Sequence, residues 1–261
     1  MLKKITEFFR SRYIGIDLFN ERIKFFGLEE DIYFDKKIEE VIPGMLEDDF
    51  WCNQNSLNNI VSYVVETTPN SLFGPKTIMA VPHEIQEQGN QRLIMKAGEQ
   101  ARVREIYLVN AFICSAIGVG MEVKESKKKI YVCSFKNKTY LGIVFAGEEF
   151  YIQVLNKGYD QIEKEDIEIG IESLTSEIKT EMPEQLQNLQ VDSETMSKLQ
   201  EGWAKELENK VYLSVPSGIK NKLGTKLGNY QLSYFKYENN IEDGLKKILE
   251  EMKTGGFKIF G

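Results

Sequence analysis

Two short apolar runs, Thr-Ile-Met-Ala-Val-Pro at 77–82 and Glu-Ile-Tyr-Leu-Val-Asn at 105–110, constrain this chain more than any other feature. Between them lies a helix-like stretch, 84–101, carrying Ile85, Leu93 and Met95, and after them an apolar helix rich in small residues, 111–120. A strand reached through a helix returns parallel to the one before it, because a tight antiparallel turn leaves no room for the crossover. The order therefore predicts an α/β chain whose sheet has parallel strands and covering helices.

The flanking segments extend that pattern. Residues 13–18, Tyr-Ile-Gly-Ile-Asp-Leu, read as a buried strand, Asn20-Glu21 as a turn and 23–27 as a return strand. Residues 28–52 are acidic and irregular, with a weak strand signal at 31–34 and a turn at Pro43-Gly44. Asn55 is placed to cap a helix with Leu57, Ile60, Val61, Val64 and Val65 on its apolar positions. Lysines 127–129 mark a boundary, beyond which 130–135 and 139–146 read as a hairpin and 148–155 as a third strand. An acidic helical stretch (160–182) and a Gln- and Asn-rich linker (184–190) follow. Asp192-Ser193 then caps a helix striped by Met196, Leu199, Trp203 and Leu207, a stripe better suited to a core than to a binding groove. Strands at 211–215 and 230–235 precede a last helix, 241–253, stopped by Gly255-Gly256. Both halves open with strand, turn, strand, third strand and helix, which predicts an internal duplication. The expected divisions are 1–12, 13–128 completed by 241–256, 129–240, and a tail, 257–261.

Composition removes several function classes. A net charge of −7 argues against an extended nucleic-acid surface, which needs clustered Lys and Arg. Three scattered cysteines (Cys52, Cys114, Cys133) and a single histidine, His83, leave no zinc set and no histidine-based triad. Nothing is long and apolar enough to span a bilayer, and the N-terminus lacks a secretory apolar core, so a cytoplasmic location is expected.

Residues 104–123 resemble a stretch of the bacterial rod-shape family MreB, through Arg104, Glu105, Leu108, Ala116, Ile117, Gly118, Gly120 and Val123 in order. Residues 13–18, 77–82 and 157–163, the last through Gly158 and Asp160, are similar to the family more faintly. The resemblance implies an actin-like ATPase fold, built from duplicated ribonuclease H-like subdomains. Only residues 28–52 and the stretch between Asp160 and Lys210 stand where that family inserts its two outer subdomains, so both are expected to be truncated.

The same resemblance exposes altered nucleotide loops. The family's first phosphate turn reads Asp-Leu-Gly-Thr, and here it is Asp17-Leu18-Phe19-Asn20. Its second, Asp-Ile-Gly-Gly-Gly-Thr-Thr, is here Cys133-Ser134-Phe135-Lys136-Asn137-Lys138-Thr139. A third glycine triplet is Val215-Pro216-Ser217, and the acidic pair that positions the attacking water is Asn110-Ala111. Glycines let backbone N–H groups approach an anion, and side chains resist both that approach and positive φ. Lys136 and Lys138 could still offer charge to a phosphate, but Phe19 and Phe135 would fill the cleft, and Asp17 alone does not organise magnesium and a water. No ATP hydrolysis and no cofactor are expected.

Two features resemble the family's membrane contacts. Residues 1–12 place Leu2, Ile5, Phe8 and Phe9 on one helical face with four basic residues elsewhere, and a loop at 70–75 carries Leu72 and Phe73. The expected function is a non-catalytic, MreB-like scaffold in cell shape or envelope organisation. It would lie at the inner face of the cytoplasmic membrane and self-associate or co-assemble with another actin-like protein. The alternatives are an adaptor resembling PilM that binds the cytoplasmic tail of a membrane protein, and a divergent ATP-binding protein.

Overall fold

The computed structural model describes residues 12–28, 33–43, 51–68, 74–87, 90–178, 182–188, 190–205 and 207–255. The expected N-terminal helix (except Arg12), the Leu72-Phe73 loop and the tail 257–261 lie outside them.

The elements of the first half are β1 (Tyr13–Asp17), β2 (Arg22–Gly27), β3 (Tyr33–Lys37), α1 (Ile38–Val41), α2 (Gln54–Thr67), β4 (Lys76–Val81), α3 (His83–Glu87), α4 (Gln91–Gln100), β5 (Glu105–Asn110) and α5 (Ala111–Gly118). The second half holds β6 (Lys129–Ser134), β7 (Thr139–Phe145), β8 (Glu148–Leu155), α6 (Lys164–Glu177), α7 (Glu184–Gln187), α8 (Ser193–Ala204), β9 (Lys210–Ser214), α9 (Ser217–Leu223), β10 (Lys226–Leu227), β11 (Tyr230–Tyr234) and α10 (Asn240–Thr254). They form two compact units, one of the described residues up to Cys114 and from Ile241 onward, the other Ser115–Asn240.

The first unit is built on a five-stranded sheet in the order β3-β2-β1-β4-β5. β1 pairs antiparallel with β2 and parallel with β4, and β4 pairs parallel with β5, as the strand–helix–strand order requires. β1 and β4 are almost wholly buried, which is why they read as apolar runs rather than alternating ones. The helix read as one piece at 84–101 is two, α3 and α4, and α4 buries Ile94, Ala97 and Gly98 while Met95 is exposed. α2 buries Leu57, Ile60, Val61 and Val64, but its cap is Asn53, whose side chain accepts from Ser56 N–H at 3.1 Å, rather than Asn55.

The second unit repeats the plan. Its sheet runs β10-β11-β9-β6-β7-β8, with β6 antiparallel to β7 and parallel to β9, and β9 parallel to β11. Leaving aside the two-residue β10, the order of connections equals that of the first sheet, so the duplication is present in topology where residue identity is poor. The core joins β6, β7 and β9 to Ile167, Ile171 and Leu174 of α6 and to Leu199 and Trp203 of α8. Trp203 stands edge-on to Phe145 and Phe150 at 5.1 and 5.5 Å, and the Lys128 ammonium lies 5.1 Å from its ring centroid. The Gln-rich stretch is not a free linker, because Leu186 of α7 and neighbouring Met182 are buried in this core.

The units divide within α5, ahead of the boundary read from the lysine run. The intervening segment is tied to the second unit: Ser115 Oγ is 2.7 Å from Tyr131 OH, and Val123 and Glu125 carbonyls accept from Gly147 and Ala146 N–H.

Candidate functional site

In the first unit Asp17, His83 and Asn110 lie at or just beyond the carboxyl ends of β1, β4 and β5, the ends at which sheets of this type hold ligands. Asp17 is buried, and its Oδ1 accepts from Phe19 N–H at 2.9 Å. Burial pushes its carboxyl up to about 6; the Phe19 N–H bond and Lys24 pull the other way, while Glu242 and Asp35 add to the rise. The turn after it closes through Arg22 N–H to Phe19 O, with Asn20 at φ +59 and Glu21 at φ +56. The left-handed residues of the turn are Asn20, which tolerates that geometry, and Glu21, which adopts it at a cost, while Phe19, in the place of the glycine, has no positive φ. Phe19 itself is buried, its ring 6.1 Å from that of Trp51.

Asn110, which the resemblance sets against an acidic residue, caps α5. Its Oδ1 accepts from Phe112 N–H at 2.8 Å and its Nδ2 donates to His83 Nδ1 at 3.1 Å. Ala111, its neighbour, is buried.

Glu242, in the first turn of α10, was not singled out from the sequence. It is buried, accepts from Lys246 Nζ at 2.6 Å and from Tyr33 OH at 3.4 Å, and contributes to the rise at Asp17. No local pattern could have joined Glu242 to Asp17, since only the fold brings them to one unit.

In the second unit the β6–β7 turn is packed rather than open. Phe135 is buried, standing edge-on to Tyr140 at 5.7 Å. Its N–H donates to Lys138 O at 2.7 Å and its carbonyl accepts from Tyr159 N–H at 2.9 Å. None of Phe135, Lys136, Asn137 and Lys138 has positive φ. Ser134 Oγ and Thr139 Oγ1 lie 2.7 Å apart, and Thr139 Oγ1 donates to Lys157 O at 2.8 Å. Gly158 fits against the turn so closely that a Cβ there would lie 1.6 Å from Lys136 O. Asp160, matched with it in the sequence, is exposed.

Cys133, which the resemblance sets against a metal-side aspartate, is fully buried, and burial holds its thiol well above the ordinary range, so it stays neutral. Val215 is buried after β9, and Pro216 opens α9, its carbonyl accepting from Ile219 and Lys220 N–H. Ser217 is exposed. Ser214 Oγ accepts from Asn240 Nδ2 at 3.0 Å. Among the described residues no group of three or more His, Cys, Asp and Glu could hold a metal ion, and no helix is long and apolar enough to cross a membrane.

No family model matches the sequence, and no curated protein matches it. Solved structures do match. MreB5 of Spiroplasma citri, bound to ADP, aligns with a TM-score of 0.59 at 9% identity, over 94% of this chain and 98% of that chain. The MamK double helical filament gives 0.54 at 12% identity, over 94% and 99%. The AlfA filament from B. subtilis plasmid pLS32 gives 0.54 at 10% identity, over 90% and 98%. At such identities the likeness shows the fold: this chain has the actin-like ATPase fold, in a length shorter than typical actins.

Proposed function

We propose that this chain is an actin-fold scaffold that self-assembles without hydrolysing ATP. The observation that carries the reading is the packed β6–β7 turn. In the related fold that turn is a glycine loop open to phosphate, whereas here Phe135 fills it from within and the Gly158 segment lies against its backbone. The donor set points the same way. A magnesium–phosphate group asks for carboxylates and open backbone N–H groups, while the second unit offers the neutral thiol of Cys133 and the first a single aspartate whose charge is disfavoured. Asn110 is engaged in capping a helix and cannot act as a base. Self-assembly draws on the likeness to MamK and AlfA, both solved as filaments.

The test is assembly with and without nucleotide. The reading predicts that the fraction pelleted on ultracentrifugation is the same with ATP and magnesium as with neither; assembly that appears only with ATP refutes it. Attachment to an anionic membrane surface is part of the same proposal and rests on the sequence of residues 1–12 and on Leu72 and Phe73. Co-sedimentation with anionic vesicles is expected to fall when residues 2–10 are removed and Leu72 and Phe73 become Ser. Unchanged binding sinks that part alone.

A further inference from the structure

Among the described residues four strands lie at sheet margins: β3 and β5 in the first sheet, β8 and β10 in the second. A free strand edge is a template for another chain, and proteins guard such edges with charge, bulges or shortness. β10 has only two residues. β8 begins with Glu148-Glu149 and carries an irregularity opposite Leu141–Ile143, with Tyr151 at φ +52. β3 ends in Asp35-Lys36-Lys37. β5 has only one of them, the charge of Glu105 at its first residue. It runs straight in register with β4 over all six residues, without proline, lysine or bulge. Ile106, Tyr107, Leu108 and Val109 are each half-buried, where the equivalent stretch of β4 is fully buried.

We propose that β5 is a pairing surface for a second copy of this chain, joined antiparallel about a two-fold axis at Leu108 so that the two sheets become one. This builds on the self-assembly proposed above and is independent of the loss of hydrolysis. Register argues for a second copy. About Leu108 each Tyr107 faces Val109 of the other copy, an aromatic against a β-branched side chain, and Ile106 faces Asn110. The one charged residue, Glu105, is already held by Lys76 Nζ at 2.8 Å and Tyr107 OH at 2.7 Å. In this register it falls opposite Ala111, beyond the strand. Centring on Tyr107 instead would set Glu105 against Val109. A closed two-fold pair also uses up the edge completely.

The test is cross-linking of the full chain in a Cys52→Ser background, which removes the exposed native thiol. A residue on the axis meets its own copy at a Cα separation that a disulfide can bridge. Leu108→Cys is expected to oxidise to a covalent dimer about tenfold faster than Ser176→Cys, an exposed position on α6, because pairing raises the effective thiol concentration. A mixture of Tyr107→Cys and Val109→Cys chains is expected to form the mixed dimer, and covers the case in which Leu108→Cys fails to fold. Rates equal to that of Ser176→Cys in both experiments overturn the proposal. If the wild type self-associates nonetheless, the surface is refuted and self-assembly stands. Capture of an unrelated strand by a wild type that stays monomeric also refutes it.

Discussion

Gly158→Ala is expected to destabilise the second unit by roughly 3–5 kcal/mol. The added Cβ would lie 1.6 Å from Lys136 O, 2.2 Å from Lys136 C and 2.7 Å from Asn137 N. All three are backbone atoms, so no rotamer change relieves the clash and the segment must move away from the β6–β7 turn. That movement strains the packing by about 1–3 kcal/mol. It also breaks the bonds from Tyr159 N–H to Phe135 O and from Thr139 Oγ1 to Lys157 O, each worth about 1 kcal/mol. Urea unfolding can read this unit alone, because one tryptophan lies in each: in a Trp51→Phe background only Trp203 reports. The control is Gly218→Ala in α9, where nothing lies within 4 Å and helix propensity favours Ala by about 0.5–1 kcal/mol. A loss at Gly158→Ala below about 1 kcal/mol, the low end of the overpacking range, would refute the packed-turn geometry on which the functional reading depends.

Two further outcomes concern the first turn. The Asp17 carboxyl, at about 6 in the folded chain against 3.8 ordinarily, binds its proton more tightly when folded. Stability is therefore greatest below pH 4 for this group and falls as pH rises from about 4 to about 6, by up to about 3 kcal/mol. Asp17→Asn keeps an acceptor for Phe19 N–H, so near pH 8 it is expected to unfold at higher urea than the wild type, with the gap closing towards pH 4; a variant less stable at about pH 8 contradicts the burial argument. Glu21→Gly relieves the left-handed strain at φ +56 and is expected to stabilise by about 1 kcal/mol, read from the thermal midpoint. No gain, or a loss, would mean that contacts of the Glu21 side chain outweigh the strain.

The sheet order was legible because its causes are local. Almost wholly buried strands such as β4 and β6 show as continuous apolar runs, Asp192 announces its helix, and Gly255, at φ +73, ends the last one. The duplication showed as an order of elements and not as shared residues, since topology survives substitutions that erase identity. What escaped depends on distance along the chain. Asn53 outcompeted Asn55 because the helix begins two residues earlier than its apolar stripe suggested. The Gln-rich stretch looked like a linker because Leu186, which is buried, sits among polar residues such as Gln187 and Asn188. The loss of glycine at the first turn was visible, but not that the left-handed residues there would be Asn20 and Glu21 while Phe19, in the glycine's place, would have no positive φ. The second loop's replacement of glycine by Phe135 was visible too, but its closure depends on Gly158 and Tyr159, twenty-odd residues on, and on the neutral thiol of Cys133 in a core that only the fold assembles.

The central claim is that an actin-like fold here works without turnover, and phosphate release from ATP and magnesium tests it most directly. Release by the full chain is predicted to match a protein-free blank at every protein concentration, and Asp17→Ala is predicted to leave it there. Release that rises with protein and is abolished by Asp17→Ala would contradict the account.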